Sequence, residues 1–144
     1  MCAEWRQIVR NENVEHIARG WRLADAAQRS ATVGGYRDYI YASRGEFTVA
    51  KDIYVRPRTG WFSDRSVCYL AAGKPVVTQE TGFGKFIPTG NGLFAFSTLD
   101  EAVSALATIN ADYVHHADAA REIAAEYFAA DKVLRKLLHD AGVE

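Results

Sequence analysis

The chain has 144 residues, a formal net charge of -1, 49% hydrophobic and 24% charged residues, and two cysteines. That length fits one compact domain and leaves no room for two full ones. The near-neutral charge excludes a global attraction to nucleic acid or to anionic membrane surfaces, no apolar run reaches the roughly 18 residues of a membrane span, and Cys2 and Cys68 stand in no metal-ligand spacing.

The first residues lack the basic, apolar, small-residue order of a secretory signal, so a complete small reading frame with reduced thiols in the cytoplasm is expected. No cofactor, metal, nucleic acid or membrane is called for. Cys2 to Gly20 carries Trp5, Ile8, Val9, Ile17 and Trp21 at roughly helical spacing, interrupted at Asn11-Glu12-Asn13. One broken helix or two short ones are predicted as an N-terminal extension over 1–20, with Gly20 at the C-terminal stop. Arg22 to Ala27 is ambiguous. Val33-Gly34-Gly35 sits poorly inside a helix, since each glycine costs about 1 kcal/mol relative to alanine. A helix is therefore predicted from Gly35 to Ala42, burying Tyr36, Tyr39 and Ile40.

Phe47 to Ala50 and Pro75 to Thr78 are short, apolar and β-branched, and both are expected as interior strands. Between them, Asp64 to Ala72 places Val67, Leu70 and Ala71 on one helical face, with Ser63 or Asp64 as N-cap and Gly73 at the stop. This is a strand, helix, strand crossover. A glycine-rich loop from Thr81 leads to a third strand, Leu93 to Phe96. Thr98-Leu99-Asp100-Glu101 matches a capping box, and Leu99, Ala102, Val103 and Leu106 form the apolar stripe of the helix it opens. Two more helices follow, one presenting Tyr113, His116, Ala120, Ile123 and Tyr127, the other Val133, Leu134, Leu137, Leu138 and Ala141. The predicted fold is α/β: a single Rossmann-like three-layer domain over 1–144, with a short, mostly parallel sheet of about three to four strands and a helical C-terminal third.

Two segments carry candidate chemistry. Ser63, Asp64, Arg65 and Ser66 open a helix, where unpaired N–H groups, two hydroxyls and an arginine suit a diphosphate; a capped helix with solvent-facing charges is the structural alternative. Glu80, Thr81, Gly82 and Phe83 follow a strand directly, so Glu80 could accept hydroxyl hydrogen bonds from a sugar, or the segment is simply a turn. The spacing Gly82-x-Gly84-Lys85 is no P-loop. His115 and His116 are consecutive on a helix and point about 100° apart, which makes no metal site by itself. Ser66 and Cys68 lack a local base, so no catalytic nucleophile is assigned. Lys51, Arg56 and Arg58 form a small basic patch around Tyr54.

At these residues the chain resembles the C-terminal, donor-binding half of a GT-B glycosyltransferase, of the class that includes family 4. The likeness spans about Gly20 to Gly142 and is most specific at Ser43 to Lys51, Gly60 to Ser66, Leu70 to Val77 and Gly92 to Phe96 leading into Leu99 to Ala102. It implies a truncated domain in which Ser63, Asp64, Arg65 and Ser66 meet the diphosphate of a nucleotide sugar and Glu80, Thr81, Gly82 and Phe83 meet its sugar. Where the family carries two glutamates eight residues apart, this chain has Gly60 and Cys68. The acceptor-binding domain is absent, so the resemblance implies donor binding without independent catalysis. Two alternatives accompany it: an interaction or oligomerisation module that retains the fold, with a homo-oligomer as partner, or one subunit of a split glycosyltransferase whose other domain is a separate chain. The donor reading requires the Ser63 to Ser66 helix start and the Glu80 to Phe83 corner to share one open rim of the sheet.

Overall fold

A computed structural model of the protein describes residues 17–22 and 24–143. The chain forms two compact units, divided between Tyr36 and Arg37. In the first, Ile17 and Ala18 are helical and Gly20, at φ 92°, closes that turn by donating its N–H to the Ile17 carbonyl. Cys2, Trp5, Ile8 and Val9, on which the predicted N-terminal helix rests, lie outside the described residues. Asp25 caps α1 (Ala26–Arg29) by accepting from the Gln28 N–H.

Helix α2 (Val33–Ala42) starts two residues earlier than expected and takes in Gly34 and Gly35. Thr32 accounts for this, because its hydroxyl accepts the Gly35 N–H at 3.0 Å and so satisfies a first-turn donor. Of the three side chains expected to be buried on this helix only Ile40 is; Tyr36 is half-buried and Tyr39 exposed.

The second unit is an α/β, Rossmann-like domain. Its sheet is three parallel strands in the order β1 (Glu46–Thr48), β2 (Val76–Gln79), β3 (Leu93–Phe96), with Glu46 opposite Val76 and Val77 opposite Phe94. Between β1 and β2 run a short helix α3 (Asp52–Val55), which the sequence did not suggest, and α4 (Asp64–Ala71). A 3-10 turn (Phe83–Lys85) precedes β3, and three helices follow: α5 (Leu99–Ala111), α6 (Tyr113–Tyr127) and α7 (Ala130–Asp140). The helical C-terminal part is therefore as expected.

Strand β2 is central and carries the core. Val76 and Val77 are both buried although successive strand residues face opposite sides, so helices cover β2 on both. On one side Val77 and Phe96 pack with Ala102, Ala105 and Ile109 of α5. On the other lies α4, whose buried residues are Ser66, Tyr69 and Leu70. The expected apolar face was one step off: Val67 is half-buried and Ala71 exposed. Helix α4 ends as predicted, with Gly73 at φ 68° donating to the Leu70 carbonyl and Lys74 to that of Tyr69. The Thr98 and Glu101 capping box is complete in α5, where each side chain accepts a backbone N–H from the other's end of the turn.

Strand β1 departs from its expected interior place. It is shorter than predicted, and among the described residues it has a strand neighbour on one side only. Its residues alternate, with Glu46 and Thr48 buried and Phe47 exposed.

Tyr69 sits on α4 near Glu46, Arg65 and the Ser43 hydroxyl. Burial raises its phenol pKa, and the hydrogen bond from Ser43 only partly opposes this. A raised folded-state value favours folding below the unfolded pKa of about 10 and is lost as pH climbs through the folded value. Denaturation midpoints should therefore fall between pH 9 and pH 11 in the native chain, and fall less in Tyr69→Phe. Equal slopes in the two proteins would rule Tyr69 out as the cause.

Candidate functional site

Gly60, Trp61 and Phe62, which lead into the predicted helix start, meet the glycine corner that follows β2. The Gly60 N–H donates to the Thr81 carbonyl at 2.8 Å, and the Thr81 hydroxyl donates to the Trp61 carbonyl at 2.5 Å. Gly60 and Gly82 make this approach feasible, at φ 77° and 102°. A Cβ on Gly82 would lie 2.8 Å from the Arg58 carbonyl oxygen, so only glycine fits there. The helix start and the glycine corner thus share one rim, as the parallel order of the strands dictates.

They are also packed against each other. Ser63, Ser66, Thr81 and Phe83 are buried, and Gly82 with them. Phe83 meets Phe62 at 5.1 Å between ring centres, and Phe62 stacks on Phe128 at 5.6 Å. Trp61 turns the other way and stacks on Tyr54 at 4.8 Å. The basic patch around Tyr54 is likewise engaged: Arg56 lies 3.6 Å from Asp52 along α3, and Arg58 lies 3.9 Å from Glu80.

The electrostatics at the start of α4 run against a free diphosphate cradle. Asp64 Oδ1 accepts the Arg65 N–H at 2.9 Å, placing a carboxylate over one first-turn donor. Glu80 accepts the Gly82 N–H, so a second carboxylate occupies the corner. Arg65 reaches across to β1, where Nε donates to Glu46 Oε1 at 2.5 Å and Nη2 to Thr48 Oγ1 at 2.8 Å. An incoming anion would have to draw the guanidinium away from a carboxylate whose side chain is 4% exposed.

Glu46 is the residue that sequence reasoning missed. Its second oxygen, Oε2, is buried without a partner, as is the Ser66 hydroxyl. An acidic residue opening a β-strand next to Phe47 was the available signal, because a strand interior seldom accommodates a carboxylate unless a cation is supplied. Here α4 supplies it.

The histidine pair has a structural occupation. His116 is buried in α6 and its Nδ1 accepts the Gly92 N–H at 3.3 Å, while His115 Nε2 lies 3.2 Å from Asn91 Oδ1. Among the described residues no three His, Cys, Asp or Glu side chains gather as a metal site would require, and no helix is long and apolar enough to cross a membrane.

Grooves also lie away from this rim, two of them beside the sheet and α6. One, of about 270 Å³, runs along α6 beside Thr89, Asn91, Glu122 and Glu126. The other, of about 260 Å³, lies between β1 and α5, over Phe47, Pro75, Val77, Leu106 and Ile109, with Arg44 and Asn110 at its border. Its outer wall continues as Val103 and Leu99, one and two turns back along α5 from Leu106. The stripe foreseen for α5 is thus split: Ala102 packs on the sheet, whereas Leu99, Val103 and Leu106 are 75%, 57% and 42% exposed. No protein-family model, curated protein or solved structure matches this chain.

Proposed function

We propose that this chain is a glycosyltransferase-like α/β domain that works as an interaction or oligomerisation module. The observation that carries this reading is a contrast between two faces. The rim where a nucleotide sugar would enter is filled by Thr81, Gly82 and Phe83 against Gly60, Trp61 and Phe62, while among the described residues Phe47, Leu99, Val103 and Leu106 beside β1 stand exposed. Soluble domains seldom leave large contiguous apolar surface uncovered unless something binds there. With Cys68 a free thiol, a cytoplasmic setting suits it.

Calorimetric titration with uridine, guanosine and thymidine diphosphate sugars at millimolar concentration tests this, and no saturable heat is expected. Saturable heat that disappears in Glu80→Gln would overturn the module reading and favour donor binding. That second reading draws its support from the shared rim: Gly60 and Trp61, just before the helix start at Ser63, Asp64, Arg65 and Ser66, hydrogen-bond to Thr81 in the corner of Glu80, Thr81, Gly82 and Phe83. It needs Arg65 to exchange Glu46 for a diphosphate. The remaining reading, a subunit of a split transferase, places the same bare face against the acceptor-binding chain, and transfer activity on reconstitution is its test.

A further inference from the structure

We propose that the edge of β1 left unpaired among the described residues and the exposed stripe of α5 together dock a second copy of this chain, strand against strand, with Phe47 on the two-fold axis. This rests on the interaction-module reading and names its partner.

The backbone argument comes first. Glu46 donates its N–H to the Pro75 carbonyl at 3.0 Å, so its main-chain groups point toward β2. Those of Thr48 do the same by alternation, and the N–H and C=O of Phe47 point out of the sheet. A strand edge in that state is a template for another strand. A two-fold axis perpendicular to the sheet sets β1 antiparallel to its copy. Phe47 then faces itself as a hydrogen-bonded pair, giving and taking one bond on each side, with Cα atoms about 5.5 Å apart.

The side chains fit the same operation. Pairing about Phe47 sets Val49, 65% exposed, opposite Gly45 of the second copy. Such an axis keeps both α5 helices on one side of the joined sheet, so the two stripes of Leu99, Val103 and Leu106 flank the paired Phe47 rings. Phe47 stacks on Phe96 of β3 at 5.4 Å, so its ring lies on the sheet face that α5 also covers.

Size and border agree with an interface. Phe47 and Val49 are 44% and 65% exposed, and with the three α5 residues they present on the order of 500 Å² of apolar surface per copy. A standard interface takes about 800 Å² from each partner, the remainder being polar rim. That rim is present at one end, where Arg44 Nη2 donates to Asn110 Oδ1 at 3.0 Å and the guanidinium lies over the Tyr113 ring at 4.3 Å. A second copy is favoured over an unrelated partner because one surface supplies both halves of each contact: the outward residue on the axis and matching stripes.

The test is light scattering over a concentration series, paired with cross-linking. The native chain should run as a dimer, and Phe47→Asp should shift it to monomer while its circular dichroism stays native. In a Cys2→Ser, Cys68→Ser background, Phe47→Cys should form an intermolecular disulfide under mild oxidation, since about 5.5 Å between Cα atoms lies within disulfide range. Arg135→Cys on α7 should form much less. A dimer that neither variant affects would overturn the proposed pairing. So would a monomer at all concentrations; if that monomer captures another chain, the module reading survives, and if it binds a nucleotide sugar instead, both fail.

Discussion

Replacing Gly92 by alanine is expected to destabilise the domain by about 3 kcal/mol or more, the largest single effect foreseen here. Gly92 precedes β3 at φ 70°, a left-handed conformation that costs an L-residue roughly 1–2 kcal/mol. A Cβ there would also lie 2.4 Å from the Ala120 backbone nitrogen and 2.8 Å from its Cα. Those atoms belong to the buried face of α6, so the helix would have to move off the sheet rather than a side chain swing aside. The Gly92 N–H is also the donor to His116 Nδ1, so displacement leaves a buried imidazole nitrogen unsatisfied. Gly142 provides the control, because its φ of 69° is nearly the same and nothing lies within 4 Å of its Cβ position. Gly142→Ala should cost about 1 kcal/mol. Chemical denaturation of the two variants checks the difference, and similar midpoints would show that α6 does not pack as closely on Gly92 as described.

Arg65→Met is expected to cost about 3 kcal/mol, whereas Glu46→Met should be nearly neutral. Glu46 has a side chain only 4% exposed and Arg65 one that is 48% exposed. Removing the arginine strands a charge away from water, and breaking a buried pair from that side is the expensive direction. Removing the glutamate leaves a guanidinium that water already reaches, and it abolishes the orphaned Oε2. The double variant should recover most of the loss. A double-mutant cycle by urea unfolding measures this, and equal costs for the two single changes would contradict the burial asymmetry. It follows that loss of ligand binding in an Arg65 variant could not by itself assign that residue to a ligand.

Much of the local structure was legible in the residues. Thr98 and Glu101 announced the α5 start, Gly73 and Pro75 the turn from α4 into β2, and Gly20 its left-handed stop, because each of these signals acts within four residues. Gly34 and Gly35 misled, since their cost of about 1 kcal/mol apiece as helix residues is a weak preference that neighbouring context can override. The candidate rim was legible in outline too: a parallel strand order brings the segments after β1 and β2 to one edge.

By itself, then, the sequence determined the α/β alternation, the parallel crossover around β2 and the helical C-terminal part, since hydrophobic period and capping chemistry are local properties. Only the tertiary structure decided which apolar faces are covered and which polar groups are spent. Helix α5 carries two adjacent apolar faces, and nothing within it says that Ala102 meets the sheet while Leu99, Val103 and Leu106 do not. Likewise nothing near Arg65 in the chain reveals that Glu46, nineteen residues away, holds its guanidinium. Burial and ion pairing are set by what arrives from distant parts of the chain, and no local pattern encodes that arrival.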